Sequence, residues 1–339
     1  MRAMHNRALN AKRLCYTPGC TNYAQNCHVL QKNGNLNHIA EDGFIRHIEM
    51  SSKEPSLHFK KAGIHATDVM AFPGFCNACD TRLFLPIESK SLDFTNKTHL
   101  LLYSYRAVVC ELHKVDSWLM CFEEMKDDTW YDESLRNIFD DMLLMYKLRR
   151  NGFVNQQFLL YNNLFNNVLD SAPNFAVYKI AKQGVACSAT YFPFICFDEE
   201  MVYKALNINP MSYDFPFSHT AVYVHAVPTD GELFVIIGCH KNVTHVETIP
   251  IKDLKFLDEK AILVLLSTLF IKRIETWSIS ENLYNDWSRG SFDKAILNIK
   301  THYLDERITD KYMYNLFNFT SMPVGVYLWE GNNKFSISE

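Results

Sequence analysis

Two short cysteine hooks, Cys15-Tyr-Thr-Pro-Gly-Cys20 and Cys76-Asn-Ala-Cys79, constrain this chain more than any other feature. Each loop is short enough to turn two sulfurs toward one point, and four soft thiolates at one point form a tetrahedral Zn²⁺ site. Between Cys20 and Cys76 stand 55 residues, so closing the hooks ties together stretches that local structure would leave apart. The expected ligands of one structural zinc are Cys15, Cys20, Cys76 and Cys79, with Cys27 a competitor for any of these places. Cys110, Cys121, Cys187, Cys196 and Cys239 read as core packing. A reduced state is expected because no apolar signal-peptide run opens the chain; its first residues carry Arg2, Arg7, Lys12 and Arg13. A cytoplasmic location follows as the expectation, and thiols rather than disulfides with it.

The chain divides by texture into three regions, an α+β organisation. Residues 1–95 form a small zinc-stapled module: a basic helix within 1–14, a tight turn at Pro18-Gly19, and a strand over Thr21–Leu30. A turn at Asn33-Gly34, a helical turn at Leu36–Glu41 and short strands over 44–74 complete it. Residues 96–172 are helical. Leu101, Tyr105, Val108, Leu112, Val115 and Leu119 recur at helical spacing, with a stop expected at Asp127-Asp128. A second helix is expected over Glu133–Asp170, interrupted at Gly152, with Arg149-Arg150 as a C-terminal charge pair. Residues 173–339 are strand-rich. Strands are expected at Phe175–Ala181 and Val185–Phe192, and a hairpin from His219–Ala226 and Leu233–Gly238 around Asp230-Gly231. Amphipathic helices are expected near 252–274 and 291–304. The longest apolar run, Ala261–Ile271, is too short to span a bilayer and contains Ser267 and Thr268, so no membrane role is expected.

Charge is unevenly spread. The net charge is −4, yet the first 40 residues hold Arg2, Arg7, Lys12, Arg13 and Lys32 and no acidic side chain. A basic end on an acidic body suits contact with nucleic-acid phosphates, and Lys12, Arg13 and Lys32 are the candidate contacts.

Cys15/Cys20, Cys27-His28 and Cys76/Cys79-Asp80 together resemble the HNH family of ββα-metal nucleases, over about residues 12–90. The resemblance implies a hook, a strand bearing a catalytic histidine, a loop asparagine, and a helix that opens with the second hook and supplies a metal ligand. His28 stands in the place of the histidine. Asn33, Asn35 or Asn37 stands in the loop, with Asn37 the candidate. Asp80 occupies the position where the family usually has His. The chain departs from the pattern there, in the residue before His28, and in the wide spacing of the hooks. The implied chemistry is phosphodiester hydrolysis: His28 takes a proton from water, an asparagine orients it, and Mg²⁺ or Mn²⁺ near Asp80 stabilises charge on the phosphate. The resemblance further implies that the larger remainder recognises a trigger or a protein partner, as in defence nucleases. The alternative is a non-catalytic zinc module that binds nucleic acid or protein.

His38 is a further candidate near the hooks; His99, His113, His240 and His245 read as structural. Asp230, Glu232 and Asp258-Glu259-Lys260 do not form the Asp…Glu-x-Lys pattern of restriction-type sites. Gly-rich phosphate loops and a Gly-x-Ser-x-Gly elbow are absent from the sequence, so nucleotide hydrolysis and esterase chemistry are not expected. Tyr191–Phe194 and Tyr213–Phe217 are aromatic without interleaved basic residues, and read as core and loop anchors rather than base-stacking surfaces.

Overall fold

A computed structural model describes residues 2–50, 57–65, 70–88, 92–126, 133–166, 168, 172–193, 199–290, 312–317 and 325–337. The first region runs α1 (Arg2–Leu9), β1 (Gln25–His28), a 3-10 turn (Leu36–His38), β2 (Phe44–Met50), β3 (Leu57–Gly63), β4 (Ala71–Phe75) and α2 (Asn77–Glu88). Two long helices follow, α3 (Lys97–Lys126) and α4 (Glu133–Phe165). Then come β5 (Asn174–Ala181), β6 (Val185–Tyr191), α5 (Glu199–Asn207), β7 (Val222–Pro228) and β8 (Glu232–Cys239). The chain continues through β9 (His245–Val246), β10 (Ile249–Pro250), α6 (Ile251–Leu254), α7 (Glu259–Lys272), β11 (Trp277–Ile279) and α8 (Glu281–Gly290). The last described strands are β12 (Tyr312–Asn315), β13 (Gly325–Gly331) and β14 (Lys334–Ile337). The fold is α+β, as the sequence texture implies.

Its centre is a seven-stranded antiparallel sheet in the order β3-β2-β11-β6-β7-β8-β5. β2 and β3 come from the first region, so this sheet joins residues 44–63 to residues 174–279. Successive side chains of a strand point to opposite faces, and the central strands are apolar on both. Val222, Val224 and Ala226 pack with α7, whereas Tyr223 and Val227 pack with α3. Burial on both sides explains the near-continuous apolar runs of β6 and β7, which carry no polar-out alternation.

α7 corrects the expected amphipathic helix over 252–274. It begins at Glu259, where the Asp258 carboxylate accepts from the Ala261 N–H at 2.8 Å. Every residue from Ala261 to Phe270 is buried, because one side meets the sheet and another meets β12. Ser267 and Thr268 do not break the run. Their hydroxyls bond the carbonyls of Leu263 and Val264, and accept from the N–H groups of Leu316 and Tyr314 at 3.1 and 2.8 Å. They dock the strand of residues 312–317 onto the helix. Among the described residues, no helix is long and apolar enough to cross a membrane.

α4 runs through Gly152 without interruption, so Arg149 and Arg150 lie mid-helix rather than at a terminus. Glycine serves there for contact: a Cβ at Gly152 would stand 2.9 Å from Cζ of Phe192. Arg150 pairs with Asp116 of α3 at 2.7 Å. The expected helix at 291–304, the Asp127-Asp128 stop and Cys196 lie outside the described residues.

Two histidines are held neutral inside the fold. His225 of β7 lies between Ser188 (2.9 Å to Nδ1) and Ser104 of α3 (3.2 Å to Nε2), and burial pushes its pKa down to about 3. His113 is pushed down to about 3 by burial, then by Arg13 and Lys114. The unfolded chain protonates both near 6.5, so the unfolded state binds more protons between about 6.5 and 3. Stability is therefore full above pH 6.5 and is lost as pH falls, by up to about 1.4 kcal/mol per pH unit for each histidine. Urea midpoints at pH 7 and pH 5 check this: the loss should be steep in the native chain and shallower in His225→Gln. A native midpoint that does not move between these pH values contradicts the assignment.

Candidate metal centre

The first hook is shaped by a β-turn. Pro18 fixes φ at the second position, Gly19 has φ of +77°, and the Cys20 N–H closes onto the Thr17 carbonyl at 3.0 Å. Cys15 N–H bonds Asn22 O at 2.8 Å, and Tyr16 N–H bonds Gly74 O of β4 at 3.0 Å. β4 pairs antiparallel with β1, setting Cys27 opposite Phe72 and His28 opposite Ala71. The chain then enters α2, with Cys76 just before the helix and Cys79 in its first turn.

Cys15, Cys20, Cys76 and Cys79 converge so that their four sulfurs lie within 4.8 Å of one another. All four are free thiols, and three of them are buried. Cys20 Sγ lies 3.8 Å from Cys76 Sγ. That is too long for a disulfide, and it matches the edge of about 3.8 Å of a tetrahedron whose centre-to-sulfur distance is about 2.3 Å, the Zn–S bond length. Asn22 Nδ2 approaches Cys76 Sγ at 3.8 Å and Arg82 Nη2 approaches Cys79 Sγ at 3.9 Å, donors suited to thiolate sulfur. The Cys79 backbone N–H helps bring Cys76 down to about 7, whereas burial pushes Cys79 up to about 12. Clustered thiols resist losing all their protons together, and a bound dication removes that resistance. The cluster is thus compatible with zinc.

Cys27 stands outside the cluster. Its thiol donates to Phe72 O at 3.3 Å, and burial pushes its pKa up to about 12. His38, on the 3-10 turn, is not among the clustered residues either.

Beside the thiols lies a second constellation. Asp80, Phe84 and Glu88 are spaced i, i+4, i+8 and line one face of α2. Arg106 of α3, only 1% exposed, lays its guanidinium 3.9 Å from the centre of the Phe84 ring. Its Nη2 reaches Asp80 Oδ1 at 3.2 Å and Glu88 Oε1 at 2.6 Å. Both carboxylates keep access to solvent, at 27% and 29%. Burial raises the Asp80 pKa, Arg106 opposes that, and Glu88 adds to it. His28 is lowered by burial, then by Lys32 and Arg106, with Glu88 opposing and His65 adding. It is therefore neutral at pH 7, and its Nε2 is buried with no hydrogen-bond partner.

Asn37 is exposed on the 3-10 turn and makes no hydrogen bond to Nε2 of His28. Arg13 is turned inward: its guanidinium donates to the carbonyls of Ala8 and His113 and to Ser117 Oγ at 2.9 to 3.0 Å. Lys12 sits 3.7 Å from the centre of the Tyr23 ring. Glu88 and Arg106 escaped the sequence reading. Their signals were the i+8 spacing from Asp80 and a lone arginine inside the apolar stretch Leu100–Val109.

Compared with known protein families, curated proteins and solved structures, the chain finds no match.

Metal analysis of the purified protein should find about one zinc per chain. Cys76→Ser should lose it and deprotect residues 13–28 and 70–80 in hydrogen exchange, while β6–β8 stay protected. A metal-free native chain with those segments fully protected contradicts the metal centre.

Proposed function

We propose that one structural zinc joins the two hooks, and that the unit so closed cleaves phosphodiester bonds of nucleic acid in the manner of HNH nucleases. The observation that carries this reading is shared surroundings: the charges of Arg106 and Glu88 act on both His28 and Asp80. A neutral imidazole whose buried Nε2 has no hydrogen-bond partner suits a general base once substrate and its water reach that atom. Asp80, with Glu88 as the added partner, presents carboxylate oxygens of the kind that hold a hard dication. Mg²⁺ or Mn²⁺ bound there would supply charge stabilisation at the phosphate. Two carboxylates and one guanidinium leave that face at −1, which favours such a cation. Lys32, whose charge reaches His28, is a candidate contact for a backbone phosphate. With Arg13 turned inward, Lys12 and Lys32 remain as the contacts of the basic N-terminus.

The second reading, a zinc-stapled module that binds nucleic acid or protein without cutting, is favoured by one observation. Arg106 already engages both carboxylates. Incubation of plasmid DNA and of RNA with the protein and Mg²⁺ or Mn²⁺ separates the two. Cleavage should fall about 10²–10⁴-fold in His28→Ala and be lost in Asp80→Asn. Persistence in both variants sinks the assignment, and binding without cleavage selects the second reading.

The pH profile of cleavage adds a further check. Because the His28 pKa is lowered, its base form persists below 6.5, and the acid limb of the rate should lie below that value. A limb above pH 7 contradicts the role of His28.

A further inference from the structure

An open pocket of about 730 Å³ lies at the end of the β7–β8 hairpin away from its turn, with Tyr213, Asp214, Ser218, His219, Lys241 and Asn242 in its wall. The turn end of the same hairpin meets the hook module, where Asn35 Nδ2 approaches Pro228 O at 3.4 Å. Pocket and Asn35 thus lie at opposite ends of the hairpin.

Three observations mark this pocket as built rather than incidental. His219 has φ of +63°, a left-handed conformation that a non-glycine side chain adopts at a cost, and such strain concentrates at binding sites. Its Nδ1 is buried with no hydrogen-bond partner. The wall is also fixed from behind: Asn155 of α4 donates to Pro210 O and Ser212 O at 2.8 and 2.7 Å, and accepts from Ser218 Oγ at 3.0 Å. The His219 ring meets His240 edge-on at 5.2 Å, and Tyr223 Oη, 2.8 Å from His240 Nε2, donates to Gln156 Oε1 at 3.0 Å.

The chemistry of the wall selects a ligand class. Tyr213 is 42% exposed and is braced by Phe158 edge-on at 5.2 Å, which offers a fixed ring for stacking. Lys241 is a single cation, enough for one phosphate rather than three. Asp214 is an acceptor of the kind that takes ribose hydroxyls. Asn242, whose Nδ2 donates to Ser218 O at 3.4 Å, keeps Oδ1 for a base edge, and His219 lines the same wall. The volume fits one such molecule.

We propose that this pocket binds a nucleoside monophosphate. Isothermal titration of the full chain with AMP, GMP, CMP and UMP tests it, beside inorganic phosphate and the parent nucleosides. At least one nucleotide should bind with sub-millimolar affinity, tighter than its nucleoside and than phosphate. Tyr213→Ala and Lys241→Ala should each weaken binding about tenfold or more. His219→Gly should keep or raise the thermal midpoint while weakening binding, because glycine adopts that backbone without strain. No binding at millimolar concentrations, equal binding of phosphate alone, or affinity unchanged in all three variants overturns the proposal. Repeating the titration without divalent metal and in His28→Ala keeps its outcome independent of any cleavage activity.

Discussion

A guanidinium with 1% exposure is costly unless carboxylates offset its charge, and Arg106 sets that condition at the middle of α3. The helix around it is buried on nearly every side, against α1, α2, α4, β4, β6 and β7. Nothing apolar in that environment can satisfy a cation, so α2 must present Asp80 and Glu88 to it. The stacking of the guanidinium on Phe84, midway between the two acids, leaves α2 little freedom to slide or rotate. Since Cys76 and Cys79 open the same helix, the ion cluster also fixes the half of the thiol site that α2 carries. Electrostatics in the core and ligand geometry at the surface are one constraint.

α4 carries that constraint outward through three consecutive residues. Asn155 and Gln156 hold the loop that walls the pocket, with Gln156 donating to Phe217 O at 3.3 Å. Gln157 donates to the carbonyl of Tyr16, next to Cys15 in the first hook, and approaches Tyr105 Oη at 3.5 Å. Three neighbouring amides on one helix can do this because 100° steps point them to different sides. Each amide replaces contacts that backbone pairing does not supply, which is why a run of polar residues is buried there. The helix is a shared frame for the first hook and the pocket wall, and its amides, rather than its apolar stripe, hold both.

Much of this was legible in the chain itself. The hooks, the hairpin around Asp230-Gly231 and the helical spacing from Leu101 to Leu119 are short-range patterns, and short-range patterns carry the reading of elements. What escaped depends on distant partners. Gly152 reads as a helix breaker until Phe192, 40 positions on, is seen against it. Ser267 and Thr268 read as blemishes in an apolar run until the strand of residues 312–317 is seen to use them. Arg13 reads as a surface cation, although its guanidinium is bonded by α1 and α3. Glu88 carries only its i+8 spacing from Asp80 as a local mark; its pairing with Arg106 comes from another element.

The wide gap between the hooks, a departure from the compact ββα pattern, has a structural reason. β1 and β4 pair with each other, and the described residues of the stretch between them include two paired strands. It contributes β2 and β3, which add to the large sheet beside β11, with Ile45 fully buried and Arg46 bonded twice to Glu281. Closing a long flexible loop costs entropy that grows slowly with length, but an inserted hairpin already seated on a sheet has lost most of that freedom. The ends of the insertion are therefore delivered near one another by sheet pairing as well as by sulfur. A metal at the four thiols then acts on a gap already narrowed, so its work is to set the angle between β1 and α2. His28 ends β1 and Asp80 lies in the first turn of α2, so a change in that angle would move the one relative to the other. The thiol cluster and this pair share no residue and are linked only through the elements that carry them.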